Sequence, residues 1–328
     1  MTKMSNLPSD LGEEVLCRIP LTSLRRVRST CKKWNTLFKR ESFAKKHLGD
    51  QAKVAAKERE FMMVMMMNFR VYLMRVNLHN DVKSCIKREG DLVSLDDEVN
   101  VSQVFHCDGL LLCIMEDNTR VVVWNPYWGQ TRLIESTHDF QKIYSYTYAL
   151  GYEKSSKSCR IYKILRFIDF SPTYVEFKIY DIRSSSWCLY QGKYVLFYYS
   201  DTVSLSSVRE EQLAVLFQSS YTLQMEIWVT TKIEPNWVSW NRKVFLEVDM
   251  NPLVSFQFQV SAASFFIDEE NKVAVVFDKD KEGLMNPTRN VAYIVGVDGI
   301  LEEVDLGVSA AKFCYPLVCF YVPSLVHL

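Results

Sequence analysis

The sequence is poor in the residues that build metal sites and phosphate-binding turns. Among 328 residues there are only 11 glycines, 9 prolines and 5 histidines. The histidines do not combine with cysteines at the spacing of a zinc site. No glycine-rich phosphate loop, dinucleotide fingerprint or Gly-x-Ser-x-Gly elbow is found. We therefore expect no metal and no cofactor, and an enzyme is disfavoured.

Long apolar runs and an export signal are absent as well. The longest apolar run, Phe61 to Met67, is far short of the roughly 18 residues that a membrane-spanning helix needs. The first residues, MTKMSNLPSDLGEEV, contain no apolar signal region. The 9 cysteines are an odd number without a disulfide framework. We therefore expect reduced thiols, no membrane partner, and a location in the cytoplasm or the nucleus.

The net charge of zero conceals two regions of opposite charge. Residues 1–60 hold 14 Lys and Arg against 7 Asp and Glu, a balance of +7, and residues 61–328 have a balance of −7. The basic residues are interleaved with apolar ones at helical spacing. Such a surface fits an acidic protein or a nucleic acid, although a solvated helix face has the same composition.

Helical spacing is clear near the N-terminus. After Pro8, Ser9 is a suitable N-cap. The first apolar stripe consists of Leu11, Val15, Leu16 and Ile19, and Pro20 ends that helix. Leu24 and Val27 form a second, shorter stripe. A third helix, capped by Ser29 or Thr30, carries Cys31, Trp34, Leu37 and Phe38, and a further turn follows Ser42. Below about 50 residues, such a segment needs the rest of the chain or a partner to bury these stripes.

From about residue 60 the pattern is that of β-strands. Short runs rich in β-branched and aromatic residues, separated by turn residues, predict strands at 69–78, 110–115, 120–124, 159–168, 175–182, 226–231, 272–277 and 291–297. Strand-end aromatics recur about every 50 residues, which is the length of one kelch-type propeller blade. Trp187 and Tyr190 are interpreted as packing between such blades. The methionines of 62–67 are interpreted as filling a buried first strand, with an adaptable binding surface as the alternative.

The N-terminal helices carry a characteristic set of residues in a fixed order. In order and spacing this set resembles the F-box, whose family docks on the Skp-type linker subunit of cullin–RING ubiquitin ligases. The resemblance implies these linker-binding residues: Leu7, Pro8, Leu11, Val15, Leu16, Ile19, Pro20, Leu24, Val27, Cys31 and Trp34. It implies no catalytic residue, and the substrate-binding residues remain unknown.

Downstream segments extend the resemblance to the plant F-box-associated domain, a relative of the kelch-type propeller. These segments are HCDGLLLC (106–113), VVVWNPYWGQTRLI (121–134), YALGYE (148–153), FKIYDIRSSSWC (177–188), MEIWVTTKI (225–233) and YVPSLVHL (321–328). The implied fold is a small all-α F-box of three short helices followed by an all-β kelch-like propeller or open propeller-like domain. We assign 1–50 to the F-box, 51–68 to a connecting segment and the start of the β domain, and 69–328 to the substrate-binding domain.

One unit of that family pattern is missing from this sequence. The family carries a further unit between the strand in 177–182 and the strand in 226–231, whereas residues 191–216 run almost directly from one to the other. We expect an open or irregular β array near residues 190–225, with 193–200 exposed.

The resemblance implies a substrate-recognition adaptor of a ubiquitin ligase, with an unknown protein as substrate. The segments 136–148, 167–174 and 234–241 are weak candidates for substrate contact, because they place aromatic residues in polar connections. The alternative is a nucleic-acid-binding protein, in which Lys32, Lys33 and Asn35 face the bases. Leu7-Pro8 and Ile19-Pro20 have no role in that alternative, and we expect no specific nucleic-acid binding.

Overall fold

The computed structural model describes most of the chain: residues 9–58, 60–77, 85–91, 100–117, 120–135, 146–154, 160–168, 174–193, 201–208, 212–234, 237–241, 243–251, 256–258, 264–280, 289–297, 299, 301–309 and 314–328. The chain divides into two compact units. The first contains residues 1–63, 72–194 and 321–328, and the second contains residues 64–71 and 195–320.

The helical head (residues 9–58) contains the predicted short helices and one longer helix. Its elements are α1 (Ser9–Cys17), a 3₁₀ turn (Leu21–Ser23), α2 (Leu24–Thr30), α3 (Lys32–Phe38) and α4 (Glu41–Glu58). The single turn predicted after Ser42 is wrong, because α4 runs for 18 residues, past position 50. The stretch after Gly49 is rich in Ala, Lys and Gln, which are good helix formers, and a Glu41–Lys45 ion pair of 2.7 Å supports its first turn.

The cap of α3 differs from the prediction. Cys31 is the N-cap, in an extended conformation with φ −155° and ψ 152°, and its Sγ accepts from the Trp34 N–H at 3.5 Å. The hydroxyls of Ser29 and Thr30 instead donate to the carbonyls of Arg26 and Val27. Both hydroxyls are therefore used within α2, and the predicted cap is wrong.

In the part of the chain that the structure describes, five sheets follow the head. The first, in the order β21-β1-β2-β3, contains β1 (Glu60–Met67), β2 (Arg70–Asn77), β3 (Cys85–Asp91) and β21 (Leu317–Phe320). The second sheet runs β4 (Val101–Cys107), β5 (Leu110–Met115), β6 (Arg120–Asn125) and β7 (Gln130–Glu135). The third runs β8 (Tyr146–Lys154), β9 (Arg160–Ile168), β10 (Tyr174–Asp181) and β11 (Ser186–Lys193).

The last two sheets belong to the second unit. The fourth contains β12 (Thr202–Val208), β13 (Gln212–Gln218), β14 (Gln224–Glu234) and β15 (Trp237–Trp240), with β16 (Leu246–Asp249) also paired to β14. The fifth contains β17 (Ser264–Asp268), β18 (Val273–Lys279), β19 (Arg289–Gly296) and β20 (Leu301–Val308). Small sheets joined in chain order are the construction of propeller blades, so the structure agrees with the predicted fold class.

The strand predictions hold in detail, and two related expectations are corrected. All eight predicted strands are present, and the methionines of 63–67 are buried in β1. The expectation of an irregular array near 190–225 is wrong for β12, β13 and the start of β14, which pair in a regular antiparallel register. Residues 194–200 lie outside the described ranges. The segment 234–241, predicted to be a connection, contains strand β15.

The sheets differ in how many of their faces are buried. All six residues of β5 are buried, as are residues 274–279 of β18 and 290–296 of β19. In the fourth sheet, by contrast, β12, β13 and β16 alternate between buried and more exposed positions. The inner strands of the second and fifth sheets therefore have both faces covered, whereas those of the fourth have one buried face.

Trp187, interpreted above as packing, lies partly buried against the core of the first unit. Its ring centroid is 5.1 Å from that of Tyr180, and the Arg166 guanidinium carbon lies 4.7 Å from the centroid. The Tyr190 side chain lies outside the described part. Among the described residues, no helix is both long and apolar enough to cross a membrane.

Candidate protein-docking surface on the helical head

The head exposes only part of the predicted docking set. Leu11 and Val15 are 51% and 43% exposed, and Pro20 is also exposed. Ile19, Val27, Cys31 and Trp34 are partly buried. Leu16 and Leu24 are buried, at 1% and 3% exposure, and Leu7 and Pro8 lie outside the described residues. Linker contact by these residues stays a prediction.

Packing inside the head explains why some residues of the predicted apolar stripes are buried and others are exposed. Leu16 and Leu24 are buried together with Cys17, Leu21, Phe38, Phe43, Ala44 and His47. The rings of Phe38 and Phe43 meet edge to face with centroids 5.0 Å apart. One face of α1 therefore belongs to the core of the head, and Leu11 and Val15 lie on its outer side. Apolar spacing in the sequence does not separate these two faces.

His47 fixes the end of α1, a role that sequence reasoning missed. The Ile19 carbonyl accepts a hydrogen bond from His47 Nε2 at 2.9 Å, and the imidazole stacks on Phe43 with centroids 6.1 Å apart. Burial lowers the pKa of His47 below its ordinary value, against the smaller opposing effect of this hydrogen bond. The spacing of four residues from Phe43 was the available sequence signal.

The head is attached to the turn after β6. Arg28 Nη1 donates to the Trp128 carbonyl at 2.9 Å and to the Tyr127 carbonyl at 3.4 Å. The Tyr127 ring lies 5.9 Å from the His47 ring, centroid to centroid. Burial raises the pKa of Tyr127, so its phenol stays neutral. These contacts leave Leu11 and Val15 exposed.

Asn125 of the WNP segment ties this turn to the C-terminal segment. Its side-chain Nδ2 donates to the carbonyls of Ser324 at 3.1 Å and Val326 at 2.7 Å. Its Oδ1 accepts from the backbone N–H groups of Tyr127 at 2.9 Å and Trp128 at 3.3 Å. Asn125 is fully buried, so a residue unable to form these bonds would leave buried backbone groups unpaired.

Gly109 of the HCDG segment packs against the same C-terminal segment. It has φ +75°, and a Cβ at this position would collide with the backbone and Cβ of Ser324 and lie 2.7 Å from the Val322 carbonyl. Its N–H donates to His106 Nε2 at 2.8 Å, and the His106 ring lies 5.5 Å from that of Tyr321. Segments 106–113, 121–134 and 321–328 thus come together, which the sequence alone did not show.

The outer surface of the head also carries many basic side chains. The exposed side chains include Arg26, Lys32, Lys33, Lys39, Arg40 and Lys46, whereas Arg18 is paired with Glu14 at 2.9 Å. An apolar strip beside cations can hold an acidic protein surface. Within the described ranges, no group of three or more His, Cys, Asp or Glu side chains is arranged to hold a metal ion.

Two family models match this chain. One, described as the F-box domain, matches residues 4–46. The other, described as the F-box associated beta propeller domain, matches residues 62–199 and 188–328. Together they span most of the sequence, in the order expected from the resemblance.

Similar proteins are found in Arabidopsis thaliana. A protein named as an F-box protein is 64% identical over 379 aligned positions, covering 100% of both chains. A second F-box protein is 53% identical, covering 99% of this chain and 100% of its own. A protein named as an F-box/kelch-repeat protein is 46% identical and covers 100% of both.

These comparisons bear on the missing unit. The alignment over 379 positions is 51 positions longer than this chain of 328 residues, although it covers both chains completely. The associated-domain model matches in two pieces that overlap at residues 188–199, a stretch of the chain that begins within β11 and ends before β12. The difference in length is close to the 50-residue period of the sequence.

Proposed function

The chain belongs to the family of F-box proteins with an F-box associated β-propeller domain, and we propose that it is a substrate adaptor of a Skp–cullin–F-box type ubiquitin ligase. In this role the head binds a Skp-type linker protein, and the β domain binds a protein substrate. The observation that carries the proposal is the exposed apolar side of α1, Leu11 and Val15, on a head whose core is formed by other residues, among them Leu16, Leu24 and Phe38.

An adaptor needs no bond-making residue of its own. It holds a substrate near a ubiquitin-charged enzyme carried elsewhere in the complex, and so raises the effective concentration of the reacting groups. We place this activity in the cytoplasm or nucleus, which fits the reduced thiols of Cys17, Cys31, Cys107, Cys113, Cys188, Cys314 and Cys319.

The nucleic-acid alternative is less well supported. The candidate recognition helix α3 has only 7 residues. Arg28 is partly buried and bonded to backbone carbonyls of the turn after β6, so it is not available to a phosphate. Lys32 and Lys33 are exposed, which is compatible with weak, non-specific attraction to DNA.

The test is binding of the purified chain to a Skp-type linker protein, measured by calorimetry. Val15→Asp places a charge on the exposed apolar strip and should abolish binding, as should Ile19→Asp. Leu133→Asp is the matched control, because Leu133 is likewise exposed but lies on β7, outside the head. Normal binding by Val15→Asp and Ile19→Asp would refute the proposed interface, and tight sequence-specific DNA binding would favour the alternative.

A further inference from the structure

The fourth sheet has one face that the described part of the structure leaves largely uncovered. On its other face Ala214, Leu216, Met225 and Ile227 are fully buried in the core of the second unit. On the uncovered face Val203 and Leu205 of β12 are 52% and 66% exposed. This uncovered face is nevertheless apolar. Val215, Phe217 and Trp228 lie on the same face and are partly buried.

Strand register places these side chains in two adjacent rows. Across the sheet, one row runs from Val203 through Phe217 and Glu226 to Glu247 of β16. Leu205 is paired with Val215, which is paired with Trp228. Because neighbouring strands are about 4.8 Å apart, the rows form a continuous apolar surface with a carboxylate-bearing border.

The family comparison explains why this face is apolar. Blades of a propeller bury both faces against neighbouring blades, as β5 and β18 do here. The two matched pieces of the associated domain overlap at residues 188–199, which end before β12, and the 64% identical relative aligns over 51 more positions than this chain has. The apolar composition of this face is therefore that of a blade face which a neighbouring unit buries.

The charge at the border indicates what can cover the face. Glu226 and Glu247 lie in the same row, and Glu226 Oε2 accepts from Trp228 Nε1 at 3.0 Å. Asp249 lies on the same strand as Glu247 and is also exposed. Residues 61–328 as a whole have a charge of −7. A second copy would bring like carboxylates to this border, whereas a basic segment complements it.

We propose that this face, formed by Val203, Leu205, Val215, Phe217 and Trp228, binds a segment of the substrate protein that combines apolar side chains with lysine or arginine. The assignment of that partner as the substrate rests on the adaptor function proposed above. The apolar residues cover the two rows, and the cation pairs with Glu226 and Glu247. Loss of one unit of the domain has then exposed a peptide-binding face.

The test uses a display library of random twelve-residue peptides, selected on the full-length chain in the absence of any linker protein. Enriched peptides are synthesised, and their affinities are measured by fluorescence anisotropy. Leu205→Asp should weaken them by about tenfold or more, which is the change expected when one well-buried leucine contact is lost. Glu226→Lys should weaken the binding of the peptides that contain lysine or arginine.

Matched controls separate the face from the rest of the molecule. Val308→Asp changes a residue that is 69% exposed on β20 and should leave peptide binding unchanged. Leu205→Asp should retain the wild-type melting temperature and normal binding to the linker. If the linker fails to bind the wild-type chain while the peptides still do, the adaptor function fails and the peptide-binding face stands.

Several results would overturn the proposal. These are the absence of enriched peptides, enrichment of acidic peptides, or peptides that bind Leu205→Asp as well as they bind the wild type. Light scattering tests the remaining occupant: a wild-type dimer that becomes monomeric in Leu205→Asp would assign the face to a second copy of the chain.

Discussion

The second and fourth sheets are both antiparallel and were both predicted as strands, yet they are buried in different ways. In the second sheet the adjacent residues Leu111 and Leu112, which point to opposite faces, are both fully buried. In the fourth sheet Leu216 is fully buried, whereas Leu205 on the other face is 66% exposed. Whether both faces of a strand are buried therefore depends on what packs against each side of its sheet as well as on the residues of the strand.

The strand sequences of the two sheets differ in the same way as their burial. β5 reads LLLCIM, a continuous apolar run, whereas β12 reads TVSLSSV, which alternates. The second sheet is also held by the C-terminal segment through Asn125 and Gly109. The fourth retains apolar residues on its uncovered face, which is the surface that a partner would need.

The largest effect should come from breaking the contact between the second sheet and the C-terminal segment. Gly109→Ala requires a Cβ where Ser324 lies, at φ +75°, and should lower the free energy of unfolding by about 4 kcal/mol. Gly129→Ala is the control, because its φ is +67° but nothing lies within 4 Å, and it should cost about 1 kcal/mol. Equal losses in urea denaturation would contradict the proposed packing.

Leucine truncation compares the two sheets face by face. Leu111→Ala and Leu112→Ala should each cost about 3 kcal/mol, because both leave cavities in a packed interior. Leu216→Ala should cost a similar amount, whereas Leu205→Ala should cost less than about 0.5 kcal/mol, as exposed substitutions do. The melting temperatures of the four variants provide the measurement. A large loss in Leu205→Ala would show that its face is covered.

Acidification should lower the free energy of unfolding through His106, which belongs to the second sheet. His106 Nε2 accepts from the Gly109 N–H, and burial lowers the His106 pKa to about 4 despite the opposing charge of Asp108. As the pH falls, the imidazole of His106 is therefore protonated in the unfolded chain before it is protonated in the folded chain. The stabilisation from the neutral imidazole is present above pH 6.5 and is lost as the pH falls towards 4.

Between pH 7.5 and 5 the loss from this group is on the order of 2 kcal/mol, and the lowered pKa of His47 acts in the same direction. His106→Gln, which retains an acceptor, should flatten the dependence of urea denaturation on pH. An unchanged dependence in this variant would rule out His106 as its source.

Local patterns predicted the elements of this fold, and non-local contacts account for what they missed. Apolar spacing gave α1 and the strands, but it placed Leu16 with Leu11 because both follow the same helical period. Pairing of residues 317–320 with β1 brings together strands about 250 positions apart, beyond the reach of any local signal. The irregular array expected near 190–225 was wrong for β12, β13 and the start of β14, because these strands pair in a regular antiparallel register.

For the candidate docking surface, the sequence and the fold each supply a different part. The position of the docking strip on α1 follows from the family pattern, whereas its support by His47 and Arg28 requires the fold. Thr30 and Cys31 show the limit of cap prediction, since a hydroxyl that bonds back into its own helix cannot cap the next one.

The adaptor role is tested most directly by amide hydrogen exchange of the full-length chain with and without a Skp-type linker protein. Binding through the exposed strip should slow exchange in α1 (Ser9–Cys17) and α2 (Leu24–Thr30) and leave β12 (Thr202–Val208) unchanged. Unchanged exchange in the helical head at saturating linker, or protection confined to the fourth sheet, would contradict it.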